Sequence, residues 1–395
     1  MMAMNGAAIA AIRITSRVAG HMISRIAGRI AIRRASSASG RGMPRRSAGD
    51  SLAEMMVGLA VGLIVMAVVL KVGVLFDARR KSVSGMAEAH IDGTLAMLSL
   101  VRELRMAGHG LGPPDALRCD LTRAAGVALG PAMPLQPVVI VNGAGGASDT
   151  IELLASGKPQ SLPVARLIAA YQPGNPGIVV DSTFGILPGD WLMLQQASTA
   201  RCLLLLAQTI PVGAYRVEPA TLPNQAMPVG GYATGSALVN LGTLHRLRYA
   251  VGADASLQQA QFDIASGNWA SSALASGIVN LQAQYGMDAR PGMQPVPAVT
   301  WWSDELIDAD GNGIVGNAGD WQRVLAIRFA IVIRSAQRKD GACDTTAPSW
   351  LAGDAVTGQL VPVTLAIGSA ANATCYRYRV LDAEVPLRNL LWSDA

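Results

Sequence analysis

The chain has 395 residues, 51% of them hydrophobic, only 5% aromatic and 15% charged, with 42 glycines and 21 prolines. That is enough chain to bury a core, and the balance excludes a helical bundle in favour of a loop-rich β protein. The net charge of +5 is uneven: residues 1–49 hold nine arginines and no acid, so the rest carries −4, the difference between +5 and +9. A block of like charge beside an apolar segment sets membrane orientation, so no nucleic-acid partner is expected for the part that follows it.

The first element is apolar. Met55 to Leu70 contains no charge, and the apolar character resumes after Lys71 as Val72 to Phe76. These 22 residues suffice to cross a bilayer, with Lys71 snorkelling to the head groups. An ordinary secretory signal has its small cleavage residue after the apolar run, whereas here Gly49 precedes it. Glu54 lies five residues after Gly49, at the edge of the apolar helix, where a carboxylate is costly without a partner.

A basic leader ending in Gly, followed at the fifth mature position by Glu, resembles the class III signal of type IV pilins and their relatives. The resemblance implies cleavage by a prepilin peptidase between Gly49 and Asp50, and pairing of Glu54 with the α-amino group of a neighbouring filament subunit. Asp50 stands where the family usually has Phe or Met, which makes N-methylation a point to test. Met43 opens a leader of typical family length, so the protein either starts there or carries an Arg-rich extension.

Two other motifs in this stretch are weaker. Gly49-Asp50-Ser51-Leu52 spells the GDSL of a lipase and esterase family, but a nucleophile needs a preceding strand, a sharp turn and a downstream His, and the last His is His245. Gly58 and Gly62 form a GxxxG, a spacing common by chance in apolar helices.

The helical rhythm continues through Met86, Ile91, Leu95, Leu98, Val101 and Leu104, without Pro, to the Gly-rich exit at Gly108, Gly110 and Gly112. One helix is expected over about residues 52–107. Beyond it, short β-rich runs alternate with turn clusters: Val138 to Val141, Thr150 to Leu154, Ile178 to Val180, Trp191 to Gln195, Cys202 to Ala207, Leu244 to Val251, Ser256 to Phe262, Ile278 to Tyr285, Val324 to Ile333 and Tyr376 to Val380. No strand is regularly followed by a long helix, so the head is read as mostly antiparallel sheet packed on the helix.

The helix exit from Arg102 to Gly110, the run Leu281 to Asp288, the run Trp321 to Ser335, and Tyr376 to Arg379 with Leu387-Arg388-Asn389 occur in the order found in PilW-type minor pilins of the type IV pilus. The resemblance implies a pilin-like α+β fold: a long N-terminal membrane-spanning helix packed on a mostly antiparallel β-sheet head. The expected domains are a leader (1–49), the transmembrane part of the helix (50–76), its soluble part (77–107) and a β-rich head (108–395).

Asp308-Ala309-Asp310-Gly311-Asn312-Gly313 matches the start of a calcium loop, in which Asp308, Asp310 and Asn312 supply side chains and Ile314 a carbonyl. Position 12 is Gly319 with Asp320 one step later, and Trp321 reads as the start of a strand, so a tight polar turn without metal is the competing reading. Cys119, Cys202, Cys343 and Cys375 all follow the apolar segment without a CxxC pair, and are read as disulfides of an oxidising compartment. Sequence-local closure favours Cys343 with Cys375 and Cys119 with Cys202.

No catalytic constellation is evident, so an enzyme is not expected. The resemblance implies a minor pilin that primes or tips a type IV pilus, with other minor and major pilins, prepilin peptidase and the inner membrane as partners. It is first a single-pass inner-membrane protein and then a pilus component with its head in the periplasm or outside the cell. A type II secretion pseudopilin and a membrane-anchored calcium-dependent adhesin are the alternatives.

Overall fold

The computed structural model describes residues 52–112, 120–123, 133–158, 163–172, 174–196, 201–220, 230–264, 266–293, 295–296, 298–339, 342–354, 356–368 and 372–391. The chain divides into two compact units, Met1–Leu70 and Lys71–Ala395. Helix α1 (Leu52–Met106) contributes to both. In the first unit the described residues are helical, and Met55 to Leu70 are exposed.

In the second unit α1 is amphipathic. Gly85, Ala89, Gly93, Ala96, Leu100, Leu104 and Ala107 are buried at the three- and four-residue spacing of one helix face. Small residues let the helix approach closely: a Cβ on Gly93 would lie 2.6 Å from Ile333 Cγ2. The helix ends where Gly108 and Gly110 take positive φ (80° and 65°), a conformation glycine adopts without steric cost.

The unit is α+β, and its sheets are mostly antiparallel. The four-stranded sheet comprises β14 (Ile278–Met287), β15 (Trp301–Ser303), β16 (Val324–Arg334) and β19 (Tyr378–Pro386), in the order β15-β14-β16-β19. The five-stranded sheet comprises β3 (Val138–Val141), β4 (Thr150–Ala155), β11 (His245–Val251), β12 (Ser256–Asp263) and β13 (Asn268–Ser276), in the order β13-β12-β11-β4-β3.

Eight strands make a third sheet: β1 (Asp120–Arg123), β2 (Met133–Pro134), β5 (Ala165–Arg166), β6 (Ile178–Val179), β7 (Trp191–Gln195), β8 (Arg201–Thr209), β9 (Arg216–Pro219) and β10 (Ala237–Gly242). Its β1–β8 pairing is parallel. A hairpin of β17 (Ser349–Gly353) and β18 (Leu360–Thr364) stands apart, and the short helices α2 (Ala318–Trp321) and α3 (Arg388–Leu391) complete the described elements.

The main core lies where Ala96, Leu100 and Leu104 of α1 meet the four- and five-stranded sheets, among Ile151, Tyr249, Leu281, Ile327, Phe329 and Ile331. Strand β16 is buried on both faces, which explains its near-continuous apolar sequence. Phe329, Ile331 and Ile333 face the α1 core, while Ala330 and Val332 pack on Trp350, Ala352 and Leu365.

Two elements differ from expectation. Trp321 is the last residue of α2 and does not begin a strand, because Asn317 caps the short helix through Gly319 N and Asp320 N while Asp320 bonds back to the Asn317 backbone. The last strand runs from Tyr378 to Pro386, beyond the expected Val380, because Asp382 and Glu384 are exposed on an edge strand that tolerates charge.

Candidate functional site

The apolar segment is Met55–Val74, 20 residues of mean hydropathy 2.5, none of it buried. Gly49 and Asp50 lie outside the described residues. Glu54 stands in the first turn of α1, and its side chain likewise lies outside them.

At its other end α1 is received by residues distant in sequence. Asn389 Nδ2 donates to the carbonyls of Arg105 and Ala107, both at 3.1 Å. The last carbonyls of a helix lack intrahelical donors, so this side chain completes the helix end. Gly108 N adds a bond to Leu154 O at 2.8 Å.

The blocks of sequence that carry the family resemblance therefore meet in space. The Leu281 to Asp288 run is β14, the Val324 to Arg334 run is its partner β16, and Tyr378 onward is β19 on the far side of β16. Tyr285 meets Trp321 edge to face at 6.1 Å. Its hydroxyl accepts from Ile140 N at 2.7 Å, tying the four-stranded sheet to the five-stranded one. Burial pushes the Tyr285 hydroxyl pKa up, so it is neutral and available for this bond.

Asp288 is fully buried between Arg290 (2.6 Å) and Arg323 (3.7 Å), and the Arg290 hydrogen bond holds its carboxyl below the usual range. It also accepts from Val296 N at 2.9 Å. Paired and hydrogen-bonded in this way, a charge can be buried. Asp149 is the contrasting acid: burial pushes its pKa up to about 6, although it accepts 2.8 Å bonds from Gly143 N and Ala283 N.

The Asp-rich loop lies between β15 and α2. Asp308, Asp310 and Asp320 each offer a carboxylate oxygen, all within 4.8 Å of one another. Asp308 accepts from the backbone N–H groups of Gly311 (2.9 Å), Asn312 (3.0 Å) and Gly313 (2.7 Å). These bonds, that from Gly313 foremost, hold its pKa low. Asp320 is buried and accepts from Ala309 N (2.7 Å), Asp310 N (3.1 Å) and Gly316 N (2.8 Å). Burial raises its pKa against those bonds.

The centre of the loop is filled by a donor. Asn317 Nδ2 lies 2.6 Å from Ile314 O, 3.2 Å from Asn312 Oδ1, 3.1 Å from Asp320 Oδ2 and 3.5 Å from Asp310 Oδ1. Four oxygens converge on one amide nitrogen, the arrangement a cation would seek. Calcium needs six to eight oxygens, and the loop supplies the beginning of such a set only if this amide leaves. Asp320 and Asn317 are the two residues that the calcium spacing did not single out; the signal for them was the N-cap pattern of an Asn followed three residues later by an acid.

Cys343 and Cys375 form a disulfide with their Cα atoms 4.1 Å apart. Cys202 is buried and disulfide-bonded, and Cys119 lies outside the described residues.

No curated protein and no solved structure matches the chain. Residues 247–389 match the family model described as Type IV Pilus-assembly protein W, a stretch that takes in β14, β16, β19, the Asp-rich loop and the Asn389 cap. Over that stretch the chain is similar to PilW-type proteins of type IV pilus assembly.

Proposed function

We propose that this protein is a minor pilin that helps initiate or tip a type IV pilus after prepilin peptidase cuts between Gly49 and Asp50. The observation that carries the reading is a helix exposed and apolar over Met55–Val74, preceded by the basic leader and joined to a head that matches the pilus-assembly family. An apolar helix that none of the described residues covers requires lipid or other helices.

In this reading the helix passes from the inner membrane into the filament core. Glu54 accepts the α-amino group of a neighbouring subunit, and the head, braced by disulfides, meets other minor and major pilins. Its work is assembly, not catalysis.

Mass spectrometry of the mature protein, from cells with and without active prepilin peptidase, tests this directly. The expected N-terminus is Asp50 when the peptidase is active, and an intact leader there would overturn the proposal. Loss of piliation on deletion, with type II secretion intact, is the outcome expected of a pilus component rather than a pseudopilin.

A further inference from the structure

The nine-residue edge strands of the five- and four-stranded sheets, β13 and β19, are built differently. Strand β19 exposes Arg379, Asp382 and Glu384 and ends on Pro386, features that discourage a second strand from pairing. The hairpin edge β18 carries Pro362, its partner β17 has five residues, and the other edges, β2, β3, β5, β6 and β15, have four residues or fewer. Strand β13, Asn-Trp-Ala-Ser-Ser-Ala-Leu-Ala-Ser from Asn268 to Ser276, has no charge and no proline.

One side of β13 pairs with β12, and among the described residues no strand pairs with the other. Asn268, Ala270, Ser271, Ser272 and Ala273 are exposed. A bulge opposite Leu257 and Gln258 interrupts the ladder near Leu274, leaving Asn268 to Ala273 as a regular run. Cation–π contacts of Arg246 and Arg248 hold Trp269 at its start, with the Arg248 guanidinium 4.0 Å from the ring centroid, so this run is anchored on its own sheet.

We infer that the β13 edge is a docking site for β13 of a second copy of this chain, paired antiparallel about a two-fold axis at Ser271. The sequence is self-complementary in that register. Trp269 lies opposite Ala273 and Ala270 opposite Ser272, so the one large side chain of the run meets a methyl group, and no like charges face each other. An uncharged edge selects an uncharged strand, and the longest uncharged, proline-free edge strand among the described residues is β13 itself. This inference goes beyond the pilin reading and does not depend on it.

The test uses the full chain in detergent micelles and in native membranes. In the two-fold register the Cβ atoms of residue 271 lie about 5 Å apart, so Ser271→Cys should form a covalent dimer on mild oxidation. No described cysteine is free to compete. Ser271→Lys places two cations opposite each other and should weaken self-association in analytical ultracentrifugation by about tenfold or more. Ser271→Glu should do the same, and a mixture of the Lys and Glu variants should recover the dimer.

Unchanged thermal melts of the variants would show that the head stays folded. The inference is overturned if Ser271→Cys reacts with a small maleimide yet forms no dimer, if it cross-links to a different protein instead, or if Ser271→Lys associates as tightly as the parent.

Discussion

Helix α1 contains two stretches that differ in composition, in pattern and in what they still need. Met55 to Val74 is exposed throughout, while from Gly85 to Ala107 one face is sealed by the head. The difference lies in composition and periodicity. The first stretch is apolar on every side and so presents no face to a sheet. The second places small residues and leucines at helical spacing, and the sheets fill the grooves between them. Content and pattern together say whether a segment's partner is internal: charges on one side and small or leucine residues on the other mark a docked helix.

The strongest way to break this contrast is to cut the sealed face. Leu100 is fully buried in the main core, whereas Leu98, two residues away, is 60% exposed. Leu100→Ala should destabilise the head by about 2–5 kcal/mol, through lost transfer energy and the cavity left behind. Leu98→Ala should cost no more than about 0.5 kcal/mol. Denaturant unfolding of the two variants in detergent measures both, and equal losses would mean that the helix does not dock by the observed face.

The exposed stretch should respond in the opposite sense. Val65→Asp adds about 3 kcal/mol to the cost of membrane insertion at the centre of the span, but removes no contact within the described head. Membrane fractionation should show less inserted protein, while limited proteolysis of the head is unchanged. A head that loosens as much as with Leu100→Ala would erase the distinction between the two stretches.

Much of this was legible in the sequence. The helix was bounded by its uninterrupted rhythm and the glycines at 108 and 110, and most of the longer strands by their β-branched and aromatic content. Strand β13 was not anticipated, because a run of Ala and Ser has no β-propensity signal and is held in place by its partner β12. Strand β10 was missed for a related reason: its short Ala-Leu-Val-Asn-Leu-Gly run is fixed by burial against β7. Long-range closures, such as Asn389 on the end of α1 and Arg323 beside Asp288, join residues whose relation no local spacing can express.

The Asp-rich loop extends the same contrast, between groups that need an outside partner and groups already satisfied. Its sequence suggests unmet charge, yet Asp308 and Asp320 each accept several backbone N–H groups, and the Asn317 amide stands among the oxygens that a cation would gather. A calcium ion has to displace that amide and compete with those bonds. The expected effect of millimolar calcium or of EDTA on the melting temperature is therefore none. Asn317→Asp keeps an oxygen for the N-cap bonds to Gly319 and Asp320, since Asp caps as well as Asn, while removing the central donor and adding a carboxylate. That variant should become calcium-dependent, gaining about 2.7 kcal/mol at a calcium concentration one hundred times its Kd. Stabilisation of the parent protein by calcium would show instead that the amide yields, and would place the loop with the exposed helix among the parts of the molecule completed from outside.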